Sequence, residues 1–202
     1  MKKKNVFRLL ACSLALLMFA PACSNAQKSA GENETLATIA ERKSVRSFTS
    51  RPVSQEDVMT ILRAGMAAPT GRDIRPWEFI VVNDRATLDS LATISNPRIL
   101  AEAPLAIVVC GDTIASPAMW QHDTSAATQN ILLAVESLGL GAVWTLAYPN
   151  IERSNAIMRI LNLPSNIVPL CIIPIGYPNG EFSPKDKFNE EKIHFNGWGQ
   201  RR

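Results

Sequence analysis

The chain has 202 residues, 47% hydrophobic and 19% charged: enough apolar material for the core of one ordinary domain, and a balance that excludes a disordered chain. Its formal charge of +3 misleads, because residues 1–22 hold four of the 21 Lys and Arg and none of the 18 Asp and Glu, leaving −1 on the remainder. A charge so near zero gives no electrostatic footprint for nucleic acid.

Lys2, Lys3, Lys4 and Arg8 precede an almost unbroken apolar run from Leu9 to Ala22. A basic head and a short apolar stretch are the first two regions of a secretory signal, too short for a comfortable membrane span. The run ends Ala20-Pro21-Ala22-Cys23, which resembles a bacterial lipoprotein signal with Cys23 lipidated as the new N-terminus. Ala20 departs from the leucine usual three residues before that cysteine. Ordinary cleavage, for instance after Ala26, and a retained anchor are the alternatives. All three place the body outside the cytoplasm, in a bacterial periplasm or cell envelope. Residues 23–34 read as a polar tether and 35–202 as one domain.

In chain order, Thr35 to Ala40 shows helical spacing. Ser54-x-x-Asp57 is a capping box opening a second helix, with Val58, Ile61, Leu62 and Met66 on one face and Pro69 ending it. Glu78 to Val82 reads as a strand entered through Trp77, and Thr87 to Ile94 as a helix. Leu105 to Cys110 is a continuous apolar run, a strand buried on both faces. Ser116 to Leu138 is the longest helical pattern, apolar nearly all round from Ala126 to Ala134, and therefore the central helix. Gly139 and Gly141 stop it. Ala142 to Ala147 follows as a strand, Ile151 to Leu161 as a helix and Val168 to Ile175 as the last strand. From Gly176 the chain turns polar, with Phe182, Phe188, Phe195 and Trp198 as anchors of an arm lying on a surface.

Alternating helices and strands argue a mixed α/β layer fold. No Gly-x-Gly-x-x-Gly occurs, so a dinucleotide cradle of the doubly wound kind is excluded. Beyond Cys12 and Cys23, only Cys110 and Cys171 remain; both sit in strand-like runs and read as buried thiols, with a disulfide as the alternative. His122 and His194 are the only histidines and lie far apart, so no metal-ligand spacing exists.

Two stretches carry chemistry. Arg42-Lys43-Ser44-Val45-Arg46 sets two guanidiniums and a hydroxyl within five residues; a guanidinium is a planar fork of donors suited to phosphate and carbonyl oxygens. Ala68-Pro-Thr-Gly-Arg-Asp-Ile-Arg-Pro-Trp77 runs from a helix end through a turn whose backbone N–H groups are expected to face a ligand. Together they read as the halves of an anionic cofactor's cradle.

These stretches resemble the Arg-x-Ser-x-Arg and Ala-Pro-Ser…Gln-Pro-Trp motifs of the FMN-dependent nitroreductase family. Asp123-x-x-Ala126-Ala127-x-Gln129-Asn130, Leu138-Gly139-Leu140-Gly141 with Trp144, Ile175-Gly176-Tyr177-Pro178 and Pro184-Lys185-Asp186-Lys187 follow in the family's order, so the resemblance spans Leu36 to Trp198. It implies an α/β (α+β) fold with a mixed sheet flanked by helices. It also implies a homodimer with FMN in two interface clefts and an extended C-terminal arm wrapping the partner.

The resemblance assigns Arg42 and Ser44, with Lys43 between them, to the FMN phosphate, joined by Lys185 and Lys187 from the far end of the chain. It places Arg46 at the pyrimidine edge of the flavin, where a fixed cation favours the reduced, anionic state. Pro69, Thr70 and Gly71 line the ribityl chain and the ring edge. Asp73 stands where asparagine is usual and Arg75 where glutamine is; Asp73 is either a ring contact or half of an ion pair with Arg72 or Arg75. Asn96 is a further polar ring contact. Trp144, Leu146 and Ala147 belong to the strand-end loop over the flavin ring, which aims a backbone N–H at N5; Trp144 itself reads as core, with a stacking residue as the alternative. Trp120 and His122 border the substrate pocket, His122 as a surface group or a proton donor.

The implied activity is two-electron transfer by a ping-pong route, from NAD(P)H or another donor to a nitroaromatic, a quinone or a similar acceptor, with no catalytic protein nucleophile or base. A flavin-binding module without turnover and a dehalogenase-like relative are the alternatives.

Overall fold

The computed structural model describes residues 33–201. The signal stretch, Cys12, Cys23 and residues 24–32 of the tether lie outside the described residues.

Asn33 caps α1 (Glu34–Glu41), its side chain accepting from the N–H groups of Thr35 and Leu36. Ser54 caps α2 (Gln55–Met66), accepting from the Asp57 N–H at 3.0 Å, while its hydroxyl donates to the Asp57 carboxylate at 2.7 Å. Here the helical phase departs from expectation: Val58, Ile61 and Gly65 form the buried stripe and Met66 is 54% exposed. Gly65 lies against Ile131, where an added Cβ would meet the side chain at 3.0 Å, so the close approach of two helices selects the smaller residue.

Strand β1 (Trp77–Val82) leads to α3 (Arg85–Ala92) and to α4 (Pro97–Glu102), a short helix absent from the sequence reading. Six residues give too little periodicity to announce it; Pro97 at its first turn and left-handed Asn96 before it make the start. β2 (Leu105–Asp112) precedes α5 (Trp120–Ser137), which begins four residues later than expected because Ser116–Met119 form a turn. The expected strand from Ala142 to Ala147 splits into β3 (Gly141–Ala142) and β4 (Thr145–Leu146), and α6 (Ile151–Ile160) and β5 (Ile167–Gly176) follow.

The sheet runs β1-β2-β5-β3, with β4 also on β5; every pairing is antiparallel, so within one chain the expected mixed sheet is an antiparallel one flanked by helices. β2 explains its own sequence. Ile107 and Val109 face α2 and α5 with Ile61, Ile131, Val135 and Ile173. Ala106, Val108 and Cys110 face α3, α4 and α6 with Leu88, Leu91, Leu100 and Ile157. A strand between two helical layers has no solvent side, so the alternation of polar residues disappears. Cys110 and Cys171 are free, buried thiols on neighbouring strands.

After β5 the arm pairs Pro178 with Phe48 and packs Phe182 against Val45, Phe48 and Ala103. Beyond that it runs exposed, with Phe188 at 73% and Trp198 at 91%.

Candidate functional site

The Arg42–Ser47 stretch is pinned at alternate residues. Lys43 gives its ammonium to Glu136 on α5 at 2.5 Å, and its backbone N–H reaches the other oxygen of that carboxylate at 3.4 Å. Val45 is buried and donates its N–H to the Ala142 carbonyl at 2.9 Å. The Ser47 hydroxyl donates to Glu102 at 2.8 Å, which holds that carboxyl below its ordinary value. The residues between are left available. Among the described residues neither Arg42 nor Arg46 meets a carboxylate, and the Ser44 hydroxyl makes no hydrogen bond; Arg46 makes only a long contact of 3.4 Å to the Ser44 carbonyl. Lys43, expected to join this donor set, is the exception, because Glu136 takes its charge.

Gly141 explains why the stretch lies so close to the sheet. A Cβ there would stand 2.6 Å from Cβ of Val45, so the close approach of the two backbones requires glycine.

The second stretch is built around Asp123, in the first turn of α5 and only 4% exposed. Its carboxylate accepts from the Thr70 hydroxyl at 3.1 Å and from the Gly71 N–H at 3.0 Å. Thr70 Oγ1 in turn accepts from the Arg75 N–H at 3.0 Å, while the N–H groups of Asp73 and Ile74 go to the carbonyls of Thr70 and Gly71. The expectation of a row of N–H groups facing a ligand is therefore corrected: four of them are satisfied inside the turn and by Asp123. The Thr70 hydroxyl and Gly71 N–H are committed in the same way.

Asp73 closes on Arg75 through two hydrogen bonds of 2.7 and 2.5 Å. These bonds hold the Asp73 carboxyl below its ordinary value and raise the guanidinium's. Of the readings open for Asp73, the structure shows the local ion pair, with Arg75 as partner rather than Arg72. Arg72, Asp73 and Arg75 all have left-handed backbones (φ 56°, 57° and 54°), a conformation that costs a residue with a side chain about 1–2 kcal/mol. Such a turn persists only because its surroundings over-determine it.

Asn96 heads α4 in a left-handed conformation with its amide on Ser95 Oγ, and no hydrogen bond joins it to either stretch. Trp144 packs against the α5 side of the core with Nε1 buried and unpartnered. Ala147 is fully buried and its N–H goes to the Leu170 carbonyl at 2.9 Å. Leu146 is the exposed member of that loop. His122 is exposed, and Trp120 is buried edge-on to Tyr148. Pro69 is exposed. Lys185 and Lys187 lie exposed on the arm, and the arm's first residues, Pro178 to Ser183, share a cleft of about 610 Å³ with Lys43. That places the arm's entry beside the Arg42 stretch.

Sequence reasoning missed two residues, Asp123 and Glu136. Asp123 opens the Asp123-x-x-Ala126-Ala127 motif, but the resemblance gave it no role. The available signal was that these are the two acidic residues of α5, one near each end, and a carboxylate is buried only if something is bound to it. The two stand thirteen residues apart, about 20 Å along the helix axis at 1.5 Å per residue. One chain therefore holds the Arg42–Arg46 donors and the Thr70–Arg75 turn at opposite ends of α5.

The sequence model of the nitroreductase family matches residues 39–103 and 95–177. A crystal structure from Parabacteroides distasonis, of a protein provisionally named NADH dehydrogenase/NAD(P)H nitroreductase, is 54% identical with a TM-score of 0.81, covering 83% of this chain and 100% of that one. A relative from Archaeoglobus fulgidus with the same provisional name is 41% identical over 172 residues, 82% of this chain and 99% of the relative. A provisionally named nitroreductase from Desulfovibrio desulfuricans, solved in complex with FMN, is 34% identical with a TM-score of 0.69, covering 77% and 94% of the two chains. With the family's motifs in order, its fold around them and matches across more than half the sequence, the chain belongs to the nitroreductase family.

Proposed function

We propose that the protein is an FMN-dependent oxidoreductase that carries two electrons from NAD(P)H to an acceptor such as a nitroaromatic or a quinone. The observation that carries this reading is the donor set at the end of α1: Arg42, Ser44 and Arg46 are kept free of carboxylates while the residues between them are tied down. Two guanidiniums and a hydroxyl fit a phosphate monoester joined to a polar ring, and the FMN complex of the Desulfovibrio relative supports that group. Arg42 and Ser44 would hold the phosphate, with Lys185 and Lys187 adding charge from the arm, and Arg46 would face the ring. Bound FMN supplies reversible acceptance and release of an electron pair.

The protein contributes position and charge. Arg46 sets a fixed cation where negative charge collects on reduction, and Asp123 fixes the Thr70–Gly71 turn. A nitro group that accepts two electrons and two protons leaves as a nitroso group and water. Donor and acceptor use the cleft in turn.

The reading includes a homodimer. The two halves of the cradle are some 20 Å apart on one α5, so a second copy is needed to close them on one ligand. Leu36, Ile39, Met59 and Met66 expose apolar surface on α1 and α2 beside a groove formed with α5, and Phe188 and Trp198 expose more on the arm. A lipid anchor at Cys23 and an envelope location complete the proposal, supported by the signal-like sequence alone. A body outside the cytoplasm has no ready supply of NAD(P)H, so another electron carrier is the donor to compare.

The test is the visible spectrum of the chain without residues 1–22, before and after NADH or NADPH under anaerobic conditions. Flavin bands that bleach support the reading. Bands that persist keep FMN and exclude NAD(P)H as donor. A colourless protein that takes up no added FMN overturns it. Globomycin sensitivity and labelling with a fatty-acid analogue test the anchor.

A further inference from the structure

The Thr70–Arg75 turn leaves one cation without a carboxylate partner among the described residues. Asp73 and Arg75 neutralise each other. Asp123 is committed to Thr70 and Gly71, and Asp112, behind the facing turn, is committed to the N–H groups of Ile114 and Ala115 at 2.8 and 3.0 Å. Arg72 has no carboxylate partner among the described residues. It stands on the wall of a cleft of about 490 Å³ formed with Gly71, Ile74, Pro117, Ala118 and Met119.

That volume suits a compound of one or two rings, and its walls apart from Arg72 are mostly apolar. The turn gives the guanidinium a fixed base, since Arg75 is tied to Thr70 and Thr70 to Asp123. An apolar slot with one cation at its edge favours a flat ring bearing one anionic group, because the ring leaves water while the anion keeps a charge-assisted partner. We propose that this cleft is a binding site for aromatic carboxylates, and that Arg72 makes the enzyme prefer acceptors carrying such a group over neutral ones. The second half of this inference rests on the oxidoreductase reading; the first half does not.

The test uses the FMN-saturated protein and two matched pairs: benzoate against benzamide for binding by ligand-observed NMR, and 4-nitrobenzoate against 4-nitrobenzamide for turnover. Arg72→Asn removes the charge with a residue that tolerates the left-handed backbone, and Arg72→Lys keeps a charge without the fork. Benzoate is expected to bind about tenfold tighter than benzamide at low salt, with the same preference in KM for the nitro pair. The preference shrinks in high salt, disappears in Arg72→Asn and survives in part in Arg72→Lys. Equal binding of benzoate and benzamide, or a preference that Arg72→Asn retains, overturns the inference. If no acceptor is reduced while benzoate binding still depends on Arg72, the oxidoreductase reading falls and the binding site stands. If both nitro compounds turn over alike and benzoate shows no preference, the site falls and the oxidoreductase reading stands.

Discussion

Asp123 and Glu136 occupy opposite ends of α5, and each grips a different motif: Asp123 the Thr70–Gly71 turn, Glu136 the Lys43 between Arg42 and Ser44. This helix, the longest among the described residues, is thus the ruler that spaces the two halves of the site. A change at either carboxylate should reach the ligand without touching it.

Asp123→Ala should leave the Gly71 N–H and the Thr70 hydroxyl without their shared acceptor in a buried place. The expected cost is about 1–3 kcal/mol of stability, measured by urea unfolding. FMN affinity should fall about tenfold, read by fluorescence titration. Asp123→Asn keeps one acceptor and should fall between the two. Unchanged affinity in Asp123→Ala would show that the turn holds its shape without the carboxylate.

Gly141→Ala drives a methyl group into Val45, at 2.6 Å from its Cβ. Overpacking of this kind costs about 1–3 kcal/mol, and here the relief is to push the Arg42–Arg46 backbone off the sheet. Flavin binding should weaken together with stability. A stability loss with normal flavin affinity would place the strain elsewhere.

Arg42→Ala should weaken FMN binding about ten- to a hundredfold, and riboflavin, which lacks the phosphate, should bind the variant and the unchanged protein alike. Arg46→Ala should act on the ring instead, lowering the two-electron reduction potential by about 30 mV. Redox titration against a dye of known potential separates the two. A potential unmoved by Arg46→Ala removes that residue from the ring.

Burial pushes the Cys171 thiol up to about 12 from an ordinary value of 9.0, although the contact with Thr128 opposes the shift, and burial raises Cys110 in the same sense. The folded state thus keeps protons that the unfolded chain gives up. This stabilisation is complete below about pH 9 and is lost as pH rises toward 12, by about 1.4 kcal/mol per pH unit for each thiol. Urea unfolding across that range should show the slope, shallower in Cys171→Ala. Both thiols should resist a disulfide reagent until the protein unfolds; rapid native labelling would mean that the sheet opens.

Local chemistry made much of this fold legible in advance. Ser54 with Asp57 announced α2, and the unrelieved apolar run from Leu105 announced a strand covered on both faces. Short range was also where misreadings began. Whether Gly65 or Met66 faced inward depended on how closely Ile131 approached. α4 was too short to show a period, and the break between β3 and β4 depended on how each met β5.

The sequence by itself determined which donors the protein owns and the order in which its motifs occur. Only the tertiary structure decided which donors remain available. Lys43 met Glu136 93 positions away, Thr70 met Asp123 53 positions away, and Asp73 chose Arg75 over Arg72 once the turn was bent into its left-handed form. The reason is that a charge's role is set by its nearest opposite charge in space. Packing against α5 brought Lys43 to Glu136 and Thr70 to Asp123, and the turn itself brought Asp73 to Arg75, leaving Arg42, Arg46 and Arg72 without a carboxylate partner among the described residues.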